Sequence, residues 1–177
     1  MALSLTLITS VAALCLGGVY IITKEPIDAA KKAKREAAIK IVLPDFDNLE
    51  TETKSVDGGE IALNKAYKNG EWIGTAVETF TKNGFSGEIK LMVGLLPDGA
   101  IYDISVLGHA ETPGLGDKID IKKSNFPEQF KGKNPASFKL SVKKDGGDVD
   151  AITAATISSR AYCDAVLRAA DALAGTR

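Results

Sequence analysis

From Leu3 to Ile22 the chain reads LSLTLITSVAALCLGGVYII, twenty residues without a charge. At about 1.5 Å of rise per residue, such a helix is roughly 30 Å long, the thickness of a bilayer's hydrocarbon core. The Gly17-Gly18 pair, with nearby Ser, Ala and Thr, offers a face for close helix packing, and Tyr20 sits where an interfacial aromatic would lie. A cleaved signal peptide is the rival reading, but the apolar stretch is long and no basic region precedes it. A lipoprotein signal fits less well, because Leu14 stands before Cys15 where a small residue is expected. The expectation is a retained transmembrane anchor over residues 1–23. Lys24, Lys31, Lys32, Lys34, Arg35 and Lys40 all follow the span. Taken literally, that bias places the following domain in the cytoplasm, although the rule weakens when a long domain follows.

The rest of the 177-residue chain has room for one ordinary domain. With 45% apolar and 25% charged residues it can bury a core and is not a disordered segment. A formal net charge of −1 argues against a nucleic-acid binder, whose phosphate contacts leave a basic footprint. Cys15 and Cys163 lie far apart, no CxxC spacing occurs, and His109 is the single histidine, so neither a disulfide nor a metal site is expected.

Residues 24–44 read as a juxtamembrane helix. Ile27, Ala30, Ala33 and Ala37 share a face, charges ring the rest, and Pro44 ends the run. Asp45 to Gly59 is acidic and turn-rich and reads as a connection. Tyr67 to Phe80 predicts a hairpin turning at Asn69-Gly70, and Ile89 to Leu107 a second one turning at Pro97-Asp98-Gly99. In the latter, Tyr102, Ile104 and Val106 alternate with Ile101, Asp103 and Ser105, the pattern of a sheet with one buried face. Ser137 to Val142 predicts a further short strand. Ala154 to Leu173 predicts an amphipathic helix through Ile157, Ala161, Ala165, Leu167 and Leu173, stopped near Gly175. The fold class expected is α+β, an antiparallel sheet flanked by helices, behind one N-terminal transmembrane helix.

Two segments do not read as ordinary structure. His109 to Ile119, HAETPGLGDKI, puts an acid, a threonine, a proline and two glycines just after a predicted strand, where binding loops are common. Gly114 and Gly116 would let backbone approach a flat ligand, Glu111 and Thr112 can hydrogen-bond a heterocycle, and Leu115 can cover a ring face. A tight turn that merely uses Pro and Gly explains the same residues. Asp150 to Ser159, DAITAATISS, falls at a predicted helix start, whose unpaired amides and positive dipole end receive phosphate. Ala154 and Ala155 leave little bulk there, and Thr153, Thr156, Ser158 and Ser159 supply hydroxyls. The plainer alternative makes Thr153 only an N-cap, worth about 1 kcal/mol.

DAITAAT resembles the flavinylation motif of the FMN-binding domain family, an Asp followed by Ser/Thr-Gly-Ala-Thr/Ser. HAETPGLGDKI resembles the second signature of that family, as found in the G subunit of the Rnf electron-transport complex and the C subunit of the sodium-pumping NADH:quinone reductase. The motifs, the span and TKEPI just after it cover most of the chain, and the length is closer to the Rnf protein. The resemblance implies FMN joined as a phosphoester to Thr156, with Asp150, Thr153, Ala155 and Thr156 read by a flavin transferase. It also implies that Glu111, Thr112, Gly114, Leu115, Thr153, Ala154 and Ala155 line the cofactor, with Lys139 toward its phosphate or ring. Ala154 departs from the family pattern, which commonly has glycine there.

On that resemblance residues 45–177 form a covalent FMN-binding domain that relays single electrons in an ion-translocating ferredoxin:NAD oxidoreductase. It implies other Rnf subunits as partners, no complete active site in this chain, and a single-pass position in the cytoplasmic membrane with the domain outside. That family placement opposes the charge bias and is the one carried forward. The quinone-reductase protein, a membrane protein holding a phosphorylated ligand non-covalently, and a purely structural assembly subunit are the competing readings.

Overall fold

The computed structural model describes residues 2–56 and 59–175, and the chain divides after Glu36 into two compact units. The first is most of one helix, α1 (Ala2–Val42), which is long and apolar enough to cross a membrane. None of its most apolar window is buried. Its threonine hydroxyls turn back on the helix: Thr6 Oγ1 donates to the Ala2 carbonyl (3.0 Å), Thr9 to Leu5 (3.0 Å) and Thr23 to Val19 (2.8 Å). The run therefore offers lipid few unsatisfied polar groups. Pro26 lies inside the helix just past the run, where its missing N–H leaves the Ile22 carbonyl without its usual bond yet does not end the helix.

In the second unit a five-stranded antiparallel sheet runs in sequence order, β1 (Asn48–Val56), β2 (Gly59–Lys68), β3 (Glu71–Gly84), β4 (Gly87–Leu95) and β5 (Ile101–Gly108). One helix, α2 (Thr156–Ala174), packs on one face, mainly over β3 and β4. The architecture is α+β, with the antiparallel sheet between helices. Alternation decides the two faces. Leu91 and Val93 point to the α2 side with Ile61, Leu63, Val77, Ile104 and Val106, whereas Met92 points to the other with Ala66 and Ala76. Full burial of each Ile, Leu, Val or Met side chain among these stabilises the fold by about 1.5–3 kcal/mol. The second face is covered by the end of α1, through Ala38, Ile39, Val42 and Leu43. Contact there is so close that a Cβ on Gly94 would lie 1.6 Å from the Val42 carbonyl oxygen.

Both predicted hairpins form. Asn69 (φ 51°) and Gly70 (φ 81°) are both left-handed, as a two-residue type I′ turn requires. At the second turn Gly99 donates to the Leu96 carbonyl (2.9 Å) and itself adopts φ 89°. The burial expected for Tyr102 needs correction. A register shift lies between Gly94 and Leu95, so Leu95 pairs with Ile101 and Gly94 with Asp103. Ile101 is therefore buried and Tyr102 only half-buried.

Two other expectations also need correction. Most of Asp45–Gly59 is not a connection but β1, paired with β2 from Asn48↔Tyr67 to Val56↔Gly59, with Asp57 and Gly58 outside the described residues. An edge strand needs little apolar character, and charges such as Glu50 and Glu52 protect it from pairing with other chains. Ser137–Val142 is not a strand. Asp148 Oδ2 takes the Lys139 amide (2.7 Å), and only a single parallel bridge joins Val142 to Val149. A Cβ on Gly147 would lie 2.0 Å from the Ser141 carbonyl oxygen, so this tight loop closes on itself instead of joining the sheet.

Candidate functional site

The segment before α2 is built on a four-residue turn. The Ala155 amide donates to the Ile152 carbonyl (3.0 Å), and Ala154, third in the turn, has φ 64°. That is the type II pattern, whose third position demands a left-handed residue. Ser159, fully buried, holds the turn from beneath: its Oγ accepts the Ile152 amide (2.9 Å) and donates to the Ala155 carbonyl (3.0 Å). Thr153 is not the N-cap; the helix begins at Thr156 after Ala155, and no side chain caps it. First-turn amides thus remain available at the positive end of the helix dipole.

Asp150 opens the segment. Gln129 clamps its backbone from both sides, with Oε1 accepting the amide (2.8 Å) and Nε2 donating to the carbonyl (3.1 Å). The Asp150 carboxylate stays exposed, paired with Lys143 Nζ at 2.7 Å. Arg160, one turn beyond Thr156, is held by Asp145 through two bonds of 2.7 and 2.8 Å. The hydrogen bond from Arg160 draws the Asp145 carboxyl below its usual range.

The loop 109–119 is organised around Glu111, only 4% exposed. Its Oε1 accepts the Ser86 amide (3.0 Å) from the β3–β4 turn, and its Oε2 accepts the Ser158 hydroxyl from α2. Gly84 and Gly116 make room for it: a Cβ at either would lie 2.8 or 2.7 Å from a Glu111 oxygen. Both carboxylate oxygens are thus engaged by the protein, which ties three elements together. His109 Nδ1 accepts the Glu111 amide (3.1 Å), and Thr112 lends its carbonyl to Leu115 (3.2 Å) and Asp117 (3.3 Å).

Between these elements lies a cavity of about 320 Å³, within the range of small-molecule sites. Of the residues expected at a site, Glu111, Thr112, Leu115, Ala154, Ala155 and Thr156 all line it. Gly114 does not; it serves the loop through a left-handed φ of 78°. Thr153 is exposed on the turn, away from the lining, and Lys139 stands at the 146–148 loop. The sequence reading missed Phe85, whose exposed ring forms another wall, and Ile157, expected in the core but exposed at the rim. An aromatic in the Asn83-Gly84-Phe85-Ser86-Gly87 turn, where a solvent-facing polar residue is usual, was the available signal.

The four hydroxyls of the segment are not equivalent. Ser158 and Ser159 are buried and engaged. Thr153 is off the cavity. Thr156 is half-buried, lines the cavity, and its hydroxyl makes no hydrogen bond among the described residues.

A larger cleft of about 470 Å³ separates β1 from α2, but its charged groups brace the helix. Lys54 Nζ donates to the Ala172 carbonyl (3.4 Å), while Asp164 Oδ2 accepts from Thr81 (2.5 Å), Asn83 (3.3 Å) and Arg168 (3.1 Å).

The FMN-binding domain model matches residues 84–171, which include every residue lining the smaller cavity. The G subunit of the ion-translocating oxidoreductase complex of Shewanella baltica is 36% identical over 174 residues, covering 89% of this chain and 82% of that protein. Its counterpart from Haemophilus influenzae is 38% identical over 173 residues, covering 90% and 84%. That of Pasteurella multocida is 35% identical over 181 residues, covering 96% and 90%. The chain belongs to the family of ion-translocating oxidoreductase G subunits. The resemblance to the Rnf-type G subunit is thereby borne out, and the FMN-binding region coincides with the part of the fold that carries the Ile152–Ala155 turn and the Glu111 latch.

Proposed function

We propose that this member of the G-subunit family is the electron-transfer flavoprotein of an ion-translocating ferredoxin:NAD oxidoreductase complex, with FMN held as a phosphoester on Thr156. The observation that carries the reading is the uncommitted Thr156 hydroxyl on the cavity wall. The site fits the group by its chemistry. Phe85, Leu115 and Ile157 offer apolar walls to a flat ring, and the uncapped start of α2 offers amides to phosphate oxygens. When bound, FMN supplies the one-electron redox chemistry. The chain's own residues bind and orient: the turn at Ala154 presents Thr156, while Glu111 holds the β3–β4 turn against α2. Thr112 and Ala155 complete the walls, whereas Gly114, Thr153 and Lys139 lie outside the lining.

A phosphomonoester does not esterify an alcohol unaided in water, so the donor is a phosphoanhydride, a flavin dinucleotide. Its anhydride P–O bond breaks as the Thr156 Oγ1–P bond forms, and the hydroxyl proton leaves with the nucleoside monophosphate. A flavin transferase that reads Asp150, Thr153, Ala155 and Thr156 performs the step. In this reading residues 1–23 anchor the chain, 24–44 form the juxtamembrane stretch, and 45–177 carry the flavin outside the cytoplasm, beside the other proteins of the complex.

The test is intact mass and in-gel flavin fluorescence of the denatured full chain, made with its transferase. The expected adduct is one FMN less one water, absent from Thr156→Val. Adduct that forms only when the transferase is exported supports the extracytoplasmic position. A flavin colour lost on denaturation favours a non-covalent ligand instead. An unmodified mass in the wild type overturns the covalent carrier.

A further inference from the structure

We propose that the attachment segment is read through its backbone, and that the left-handed conformation of Ala154, rather than the smallness of its side chain, decides whether Thr156 is modified. This rests on the covalent-carrier reading above. Ala154 and Asn69 are the non-glycine residues with positive φ among the described residues, and Asn69 sits in a hairpin turn that asks for one. Ala154 is left-handed where a type II turn favours glycine or asparagine, although it is neither. It is third in the Ile152–Ala155 turn, exposed, and on the cavity wall, with φ 64°.

The turn is imposed from both ends. Ala155 closes it onto Ile152 at 3.0 Å, and the buried Ser159 bonds the Ile152 amide (2.9 Å) and the Ala155 carbonyl (3.0 Å) together. With those ends pinned, the chain between them must reverse sharply, and the left-handed residue is the reversal. Its consequence is a separation of two threonines only three positions apart. Thr153 is exposed at the turn, and Thr156 lines the cavity at the head of α2. A right-handed or extended residue at 154 would re-aim the segment and remove Thr156 from the place where its hydroxyl is presented.

Bulk and backbone make opposite predictions for one substitution. Asparagine is larger than alanine but accepts the left-handed region more readily, as glycine does. Valine is β-branched and strongly disfavours it. The experiment follows the initial rate of FMN-adduct formation by intact mass, using the full chain produced with its transferase. Wild type is compared with Ala154→Gly, Ala154→Asn and Ala154→Val, with Thr156→Val as the blank. Expected are rates for the glycine and asparagine variants equal to or above wild type, and a rate for valine about tenfold or more below it. An order in which asparagine falls well below alanine overturns the proposal in favour of a size limit. Thermal melting reports whether the valine variant folds; if it does not, the comparison of asparagine with alanine decides alone. A wild type without adduct overturns the covalent carrier itself, whereas wild-type adduct with the wrong order overturns only the role of residue 154.

Discussion

Glu111 has a bonding role within the protein that its sequence context does not reveal. Its sequence context, an acid in a Pro- and Gly-bearing loop, points to a ligand, and it does line the cavity. Yet the Ser86 amide and the Ser158 hydroxyl already engage both its oxygens, so its first task is to hold the walls together. Glu111→Ala leaves the buried Ser158 hydroxyl without its acceptor, at about 1–3 kcal/mol, and the part-buried Ser86 amide without one at a smaller cost. A loss of about 2–4 kcal/mol in unfolding free energy is expected, measured by urea titration. Glu111→Gln keeps an acceptor for Ser86 and turns an amide toward Ser158, so its loss should stay below about 1.5 kcal/mol. Equal losses for the two variants would mean that the charge, not the bonding pattern, is what the latch requires. The hydroxyls follow the same logic. Thr153, Thr156, Ser158 and Ser159 crowd the same short segment, but only burial and partners separate the engaged serines from Thr156.

At the scale of elements, sequence signals were strongest where local chemistry alone imposes the shape. Asn69-Gly70 and Pro97-Asp98-Gly99 each specify a turn without help from distant residues, and both hairpins form around them. β1 was invisible because an edge strand is stabilised by its neighbour's hydrogen-bonding edge, not by its own apolar pattern. The position of α1's last turn was equally hidden. Gly94, near the end of β4 after the apolar run Leu91-Met92-Val93, allows the Val42 carbonyl to reach the sheet. Gly94→Ala would set a methyl 1.6 Å from that oxygen, a backbone atom that cannot rotate away. The helix end must then lift from Ala66, Ala76 and Met92, at an expected cost of about 2–3 kcal/mol. Thermal denaturation followed by circular dichroism checks this; an unchanged transition would show that the helix end is not seated there.

At the scale of the whole molecule, pH offers a readout of the α2 side of the core. Burial pushes the Cys163 thiol up to about 12 and the Tyr162 hydroxyl well above its usual value. For both groups the folded state holds its proton at a pH where the unfolded chain has released it. Their contribution is therefore complete below the unfolded values, near 9.0 for the thiol and 10.0 for the phenol, and is lost as pH rises toward the folded ones. Unfolding free energy should hold between about pH 7 and 9 and fall steadily from there to about pH 12, by denaturant titration. Cys163→Ala should flatten part of that slope, and a slope unaffected by it would remove the thiol from the account.

Neighbours along the chain were enough to mark the apolar helix, the two hairpins, the helix α2 and the two segments worth suspecting, although Ile157 and Leu167 of the apolar face expected for α2 are exposed. Those are matters of hydrophobic length, period and turn chemistry, which act within a few residues. Tertiary structure decided what depends on residues far apart. It joined loop 109–119, the β3–β4 turn and the start of α2 around one buried carboxylate, and brought Phe85 and Ile157 to the same rim. It sent Lys139 elsewhere and turned Ala154 left-handed. The physical reason is that these outcomes rest on burial, hydrogen-bond completion and close backbone approach, none of which exists until the sheet and α2 have packed.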